Sequence, residues 1–258
     1  MKTSFISNTR AEFLKSKRSF AYWLTLGAAI FIPAINFLIL TQRPDMMLPK
    51  FQADGWVTFF RFCWKNVAAV ILPMYIILIS NLLVQIEYRN NTWKQVYTTP
   101  RSFADIFFSK YVVIQALIIL YILVFDVFVI LSGLAVNLAN PSYPFLFDSI
   151  QWDALFAITY KIYLGAQAIT VIQYWLSLRF RNFVVPLGIG IGLWITGIVL
   201  MDWEHIDYYP YIYSTFLFFL DPAKEPERLQ TVMISAAVAF PIVLVLGFLD
   251  INRLKERG

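Results

Sequence analysis

The charged residues of this chain stand in short clusters, and the stretches between the clusters run for about 20 residues without a charge. Wound as a helix that rises 1.5 Å per residue, such a run crosses the roughly 30 Å hydrocarbon layer of a bilayer. Inside that layer the backbone meets no water, so each segment must pair its own N–H and C=O groups, as a helix does. Composition points the same way. Of 258 residues 59% are hydrophobic and only 14% charged, an apolar excess beyond what one or two soluble cores of this size hide.

Six segments qualify as spans: 20–40, 67–86, 111–136, 155–178, 183–201 and 231–249. Four contain no charge; the third holds Asp126 and the fourth Lys161. The expected fold is all-α and polytopic, one transmembrane domain over residues 1–258, with no repeat of fixed period and no Gly/Ser linker to divide it. The first apolar run is far longer than the core of a cleavable signal and reads as a retained anchor.

Lys and Arg outside the spans set the orientation. Five lie in the N-terminal tail, four in the second loop, two in the fourth and three in the C-terminal tail, against six in the first, third and fifth loops together. The positive-inside rule then puts both termini in the cytoplasm. Residues 1–19 carry Phe5, Ile6, Thr9 and Phe13 at helical spacing among Arg10, Lys15, Lys17 and Arg18. They read as an amphipathic helix on the inner leaflet or as a plain basic flank. From Asp202 to Gln230 the outer side is dense in Tyr and Phe, which fits an ordinary aromatic belt or a segment that lies at the headgroup level or dips into it.

Several chemistries are excluded by count. A net charge of +5 without a basic stripe interleaved with aromatics gives no nucleic-acid footprint. Cys63 is the single cysteine and His205 the single histidine, so no intramolecular disulfide, His-pair metal site or Ser-His-Asp triad can be assembled. Gly188, Gly190 and Gly192 precede Leu193, where a dinucleotide fingerprint needs glycine. One turn apart in a lipid-embedded helix, Gly188 and Gly192 read as a packing face. Asp126 and Lys161 lie about 15 and 9 Å inside the same end of their spans. Either they form an ion pair, or Lys161 snorkels outward and Asp126 stays protonated or faces a wet cavity.

The second loop holds the most informative stretch. Glu87 closes span two; Asn91, Thr92, Trp93, Lys94, Tyr97, Thr98, Thr99, Pro100 and Arg101 follow, then Ser102 and Lys110 lead into span three. A Thr-led turn broken at a proline implies a short helix parallel to the membrane. This loop resembles the coupling segment of ABC-2 type permeases, which runs acid, Gly-Thr, an apolar turn, Thr-x-Pro, a small polar residue and a lysine. Glu87, Thr92, Thr98, Pro100, Ser102 and Lys110 match. Asn91 stands where glycine is usual, and asparagine too tolerates uncommon backbone angles.

The resemblance implies a permease subunit of a bacterial ATP-binding-cassette exporter, in the inner (plasma) membrane, of the branch that includes lantibiotic-type peptide exporters. It implies a cytoplasmic ATPase as partner, a second permease as homodimer or heterodimer, and ATP with Mg held by the ATPase, with no cofactor or catalytic residue on this chain. Glu87 and residues 91–94 and 97–101 would be the coupling contacts. The alternatives are a positive-inside connector for the loop, and for the chain a structural or regulatory membrane protein that binds a partner without transport.

Overall fold

The computed structural model describes residues 2–17, 19–51, 54–89 and 102–255. Among these there are helices and no strand. Helix α1 is Lys2–Lys17, α2 Phe20–Gln42, α3 Gly55–Arg89, α4 Phe103–Ala139 and α5 Trp152–Arg179. Helix α6 is Val184–Val199, α7 Tyr213–Phe219 and α8 Pro226–Lys255. Five of them, α2, α3, α4, α5 and α8, are long and apolar enough to cross a membrane. The 16 residues of α6 are apolar but span only about 24 Å.

Helix α3 begins at Gly55, twelve residues before the expected start at Val67. Arg61 and Lys65 interrupt the uncharged run in sequence, but four residues apart they fall on one exposed face. The other face buries Trp56, Phe59, Phe60, Cys63 and Trp64 completely. Hydropathy averages over the helix circumference and so missed it. Helix α4 starts at Phe103, eight residues ahead of the expected span, and Ser102 caps it by accepting from the Asp105 N–H at 3.0 Å.

Residues Val67–Ile71 of α3 form a π-helical turn. The Leu72 N–H reaches back five residues to Val67, and Pro73 has no N–H to offer. The carbonyls of Ala68 and Ala69 are therefore short of intrahelical donors. Two other elements supply them. Ser214 and Thr215 of α7 donate to Ala68 O at 3.4 and 3.3 Å, and the Trp194 indole of α6 donates to Ala69 O at 3.2 Å.

This bonding accounts for the aromatic outer segment. After α6 the chain folds back through two 3-10 turns, Ile206–Tyr208 and Pro210–Ile212, and α7 re-enters the bundle against α5 and α8. Tyr211, Ile212, Tyr213 and Leu217 are buried in protein, and Tyr208 stays exposed. A plain aromatic belt does not describe the buried part of this segment: its inward aromatics belong to the protein core. Close approach requires glycine at position 165 of α5, where a Cβ would stand 2.6 Å from the Ser214 backbone nitrogen.

Helix α1 docks along the start of α4 and touches α2. Its protein-facing side is the polar stripe Asn8, Glu12 and Ser16, with Asn8 and Ser16 buried. Ile6 and Leu14 point outward, and Phe13 packs partly against the core.

Candidate functional site

Two residues frame the second loop at its root. Glu87 lies in the last turn of α3 and Lys110 in the third turn of α4, and both side chains are almost wholly buried. Helix α1 lays Glu12 and Lys15 over them. Lys110 Nζ donates to Glu87 Oε2 at 2.8 Å and to Glu12 Oε2 at 2.6 Å. Lys15 Nζ donates to Glu12 Oε1 at 2.6 Å and to Glu87 Oε1 at 3.0 Å. Each carboxylate thus bridges both ammonium groups, and the four charges alternate round a ring of zero net charge.

The geometry decides the electrostatics. Burial pushes the Glu12 carboxyl up, but the attraction and hydrogen bonds of Lys110 and Lys15 outweigh burial and hold it below the usual glutamate range. Burial likewise pushes Lys15 down, and Glu12 with Glu87 outweighs it, holding the ammonium above the usual lysine range. A ring of this kind fixes three helices in one arrangement.

Other ties spread from the same end. The Tyr88 hydroxyl donates to Leu178 O at 2.8 Å and Gln85 Nε2 to Arg181 O at 3.1 Å, joining the end of α3 to the end of α5. Arg179 binds both oxygens of Asp250 at 2.7 Å, and the Trp175 indole adds a bond to Asp250 at 2.9 Å, joining α5 to α8. Phe103, Phe107 and Phe108 of α4 pack on Phe248 of α8 with ring centroids 5.4 to 5.5 Å apart. Helices α1, α3, α4, α5 and α8 are tied together where the loop leaves and returns.

Of the residues singled out in the loop, Glu87 sits in this ring. Asn91, Thr92, Trp93, Lys94, Tyr97, Thr98, Thr99, Pro100 and Arg101 lie outside the described residues. Sequence reasoning passed over Glu12 and Lys15 as members of the site, although Glu12 is the only acid in the basic N-terminal tail and stands three residues before Lys15.

No ion pair joins Asp126 to Lys161 among the described residues. Asp126 accepts from the Trp64 indole at 3.1 Å and from the Thr159 hydroxyl at 3.0 Å. Lys161 stands two residues past Thr159, about 200° round α5, so its stem leaves from the other side despite the matching depth. Gly188 and Gly192 do not pack against another helix of this chain among the described residues: both are exposed, and a Cβ at either would meet open space. The close contact lies midway between them, at Gly190, which abuts Gln173. Gln173 donates to Pro186 O at 2.7 Å and accepts from Tyr211 at 3.2 Å, locking α5, α6 and the outer segment together.

The model of an ABC-2 family transporter protein matches residues 9–197, from the α1 segment that carries the ring through most of α6. The chain belongs to the ABC-2 transporter family. As an ABC-2 protein it is a multi-pass membrane protein and a permease component of an ABC transporter. No curated protein matches it. Within this ABC-2 chain the matched region contains both sides of the charged ring and the loop it frames.

Proposed function

We propose that this ABC-2 protein is the permease subunit of a bacterial exporter, driven by a separate cytoplasmic ATPase that engages the loop between α3 and α4. On this reading both termini are cytoplasmic and the protein lies in the plasma membrane. The short α6 completes a sixth crossing, and a second permease, identical or different, forms the other half of the pathway. ATP and Mg belong to the ATPase, and this chain holds no cofactor.

The single observation that carries the reading is the ring at the root of the loop. A force applied between residues 90 and 101 reaches α3 through Glu87 and α4 through Lys110, and the ring makes both move with α1. The Tyr88 and Arg179 bonds pass the displacement to α5 and α8. Rigid-body motion is the response expected of helices tied in this way.

The test is co-purification of the tagged chain from its native membrane. An ATPase subunit is expected with the wild type and lost when Trp93, Tyr97 and Pro100 are all changed to alanine. Labelling of Gln95→Cys in a Cys63→Ala background by a membrane-impermeant maleimide should require permeabilised cells. Unchanged ATPase recovery, or labelling of intact cells, overturns the assignment.

A further inference from the structure

Helices α4 and α5 are neighbours whose backbones hardly meet. Helix α4 packs on α1 and α2, and α5 packs on α3, α7 and α8. Side chains alone bridge the seam. Gln115 Nε2 donates to Gln167 at 2.9 Å, Tyr163 donates to Gln115 at 3.0 Å, and Thr159 donates to Asp126 at 3.0 Å. On α5 the three residues Thr159, Tyr163 and Gln167 recur every fourth position and so form one stripe along the seam.

Asp126, on α4 across the seam from that stripe, is the one carboxyl among these bridging groups. Its two donors, the Trp64 indole and the Thr159 hydroxyl, are both neutral. They aim the carboxyl but bring no compensating charge, and no cation pairs with it among the described residues. In a span, an uncompensated carboxylate is strongly disfavoured and takes up a proton or a cation. Asp126 is partly buried and not sealed inside the bundle. The lips of the seam are apolar. Leu123, one turn before Asp126, and Phe156, one turn before Thr159, are 59% and 65% exposed.

We infer that Asp126 and the α4–α5 seam bind the ammonium head of an amphiphile dissolved in the membrane, with its tail lying on Leu123 and Phe156. Charge complementarity selects the head: a carboxylate repels an anion and gains no ion pair with an alcohol. A single carboxylate is a poor cage for a divalent metal, which needs several oxygen ligands. An NH3+ group also donates hydrogen bonds to the free carboxylate lone pairs, so a primary amine is preferred to a quaternary one. Binding is read on the chain alone and stands apart from ATPase coupling.

The experiment uses the full chain in phosphatidylcholine nanodiscs with a dodecylamine that carries a diazirine on its tail. Photolabelling is mapped by peptide mass spectrometry and competed with unlabelled dodecylamine, dodecyltrimethylammonium and dodecanol. Adducts are expected on the α4 segment around Leu123 and the α5 segment around Phe156. Dodecylamine should compete about tenfold better than dodecanol, an advantage worth about one factor of ten in affinity. Asp126→Asn keeps an acceptor for the Trp64 indole and turns an amide N–H toward the Thr159 hydroxyl, which can accept it, and should abolish that advantage without lowering the thermal midpoint. Asp126→Glu should keep it, and so should Thr159→Val, which removes a neutral donor and leaves the charge. If the seam only glues helices together, dodecanol competes as well as dodecylamine, or Asp126→Asn labels like the wild type. Either result overturns the inference, as does labelling confined to other segments. Should Asp126→Asn fail to fold, loss of the amine preference in a folded Asp126→Glu overturns it instead.

Discussion

At the scale of single residues the ring of Glu12, Lys15, Glu87 and Lys110 governs the response to substitution. Glu87→Gln leaves two ammonium groups sharing one carboxylate in a buried setting, and removing one partner from such a group costs about 3–5 kcal/mol. We expect a lower thermal midpoint in detergent, with substantial recovery in Glu87→Gln/Lys110→Met, which removes one charge of each sign. The pH dependence follows from the two shifts. The lowered Glu12 contributes stability that is fully present above its ordinary value of 4.5 and is lost as pH falls through its depressed one. The raised Lys15 contributes stability fully present below 10.5 and lost as pH rises through its elevated value. The thermal midpoint should therefore hold level between these limits, and Glu12→Gln should shrink the fall on the acid side. Tyr121 tests the opposite case. Its hydroxyl is buried without a hydrogen-bond partner among the described residues, while its ring stacks on Tyr75 at 4.6 Å. Tyr121→Phe keeps the stack and removes the stranded group, so it should stabilise by about 1 kcal/mol in chemical or thermal unfolding.

At the scale of elements the π turn of α3 and the re-entrant α7 depend on each other. Ser214→Ala with Thr215→Val strands the Ala68 carbonyl at a cost of about 1–3 kcal/mol, measured as a lower unfolding midpoint. Adding Pro73→Ala returns an N–H to α3, and part of the loss should be recovered. No such recovery would mean that the hydroxyls act through packing. The proline was visible in sequence, and so were the crowded aromatics of the outer segment. Their connection was not, because the donors to Ala68 lie 146 and 147 positions along the chain. The start of α3 failed for a related reason: Arg61 and Lys65 count against a span in a running average, yet they share one face of a helix whose other face is core.

At the scale of the molecule, α1, α3, α4, α5 and α8 are tied at the loop end by charges, hydrogen bonds and aromatic contacts, and at the other end α2, α3 and the segment after α4 meet around a cluster of aromatic rings. There the Trp56 indole donates to Phe145 O at 3.1 Å and Tyr143 to Leu40 O at 2.9 Å. Deleting residues 1–17 removes Glu12 and Lys15 together and leaves the Glu87–Lys110 pair neutral overall. Membrane insertion should be unchanged by protease accessibility, because α1 contributes no span. On the proposed coupling, ATP hydrolysis by the co-purified ATPase should lose its dependence on the permease, because α3 and α4 are then no longer tied to a third helix. Retained dependence would show that the loop acts without α1.

Length and hydropathy are properties of a segment taken alone, and the transfer of each run from water to hydrocarbon already selects helices that cross a bilayer. For that reason the all-α membrane class and the approximate placing of the long helices were legible in the order of residues, and the family was legible through the resemblance carried by Glu87, Thr92, Thr98, Pro100, Ser102 and Lys110. Which side of each helix meets which neighbour depends on angles about the helix axes, and those are set only when the helices pack. Tertiary structure therefore decided that Asp126 turns to Thr159 and not to Lys161. It decided that Gly190 and not Gly188 meets a neighbour. It also brought Glu12, a lone acid in a basic tail, between two lysines at the root of the loop.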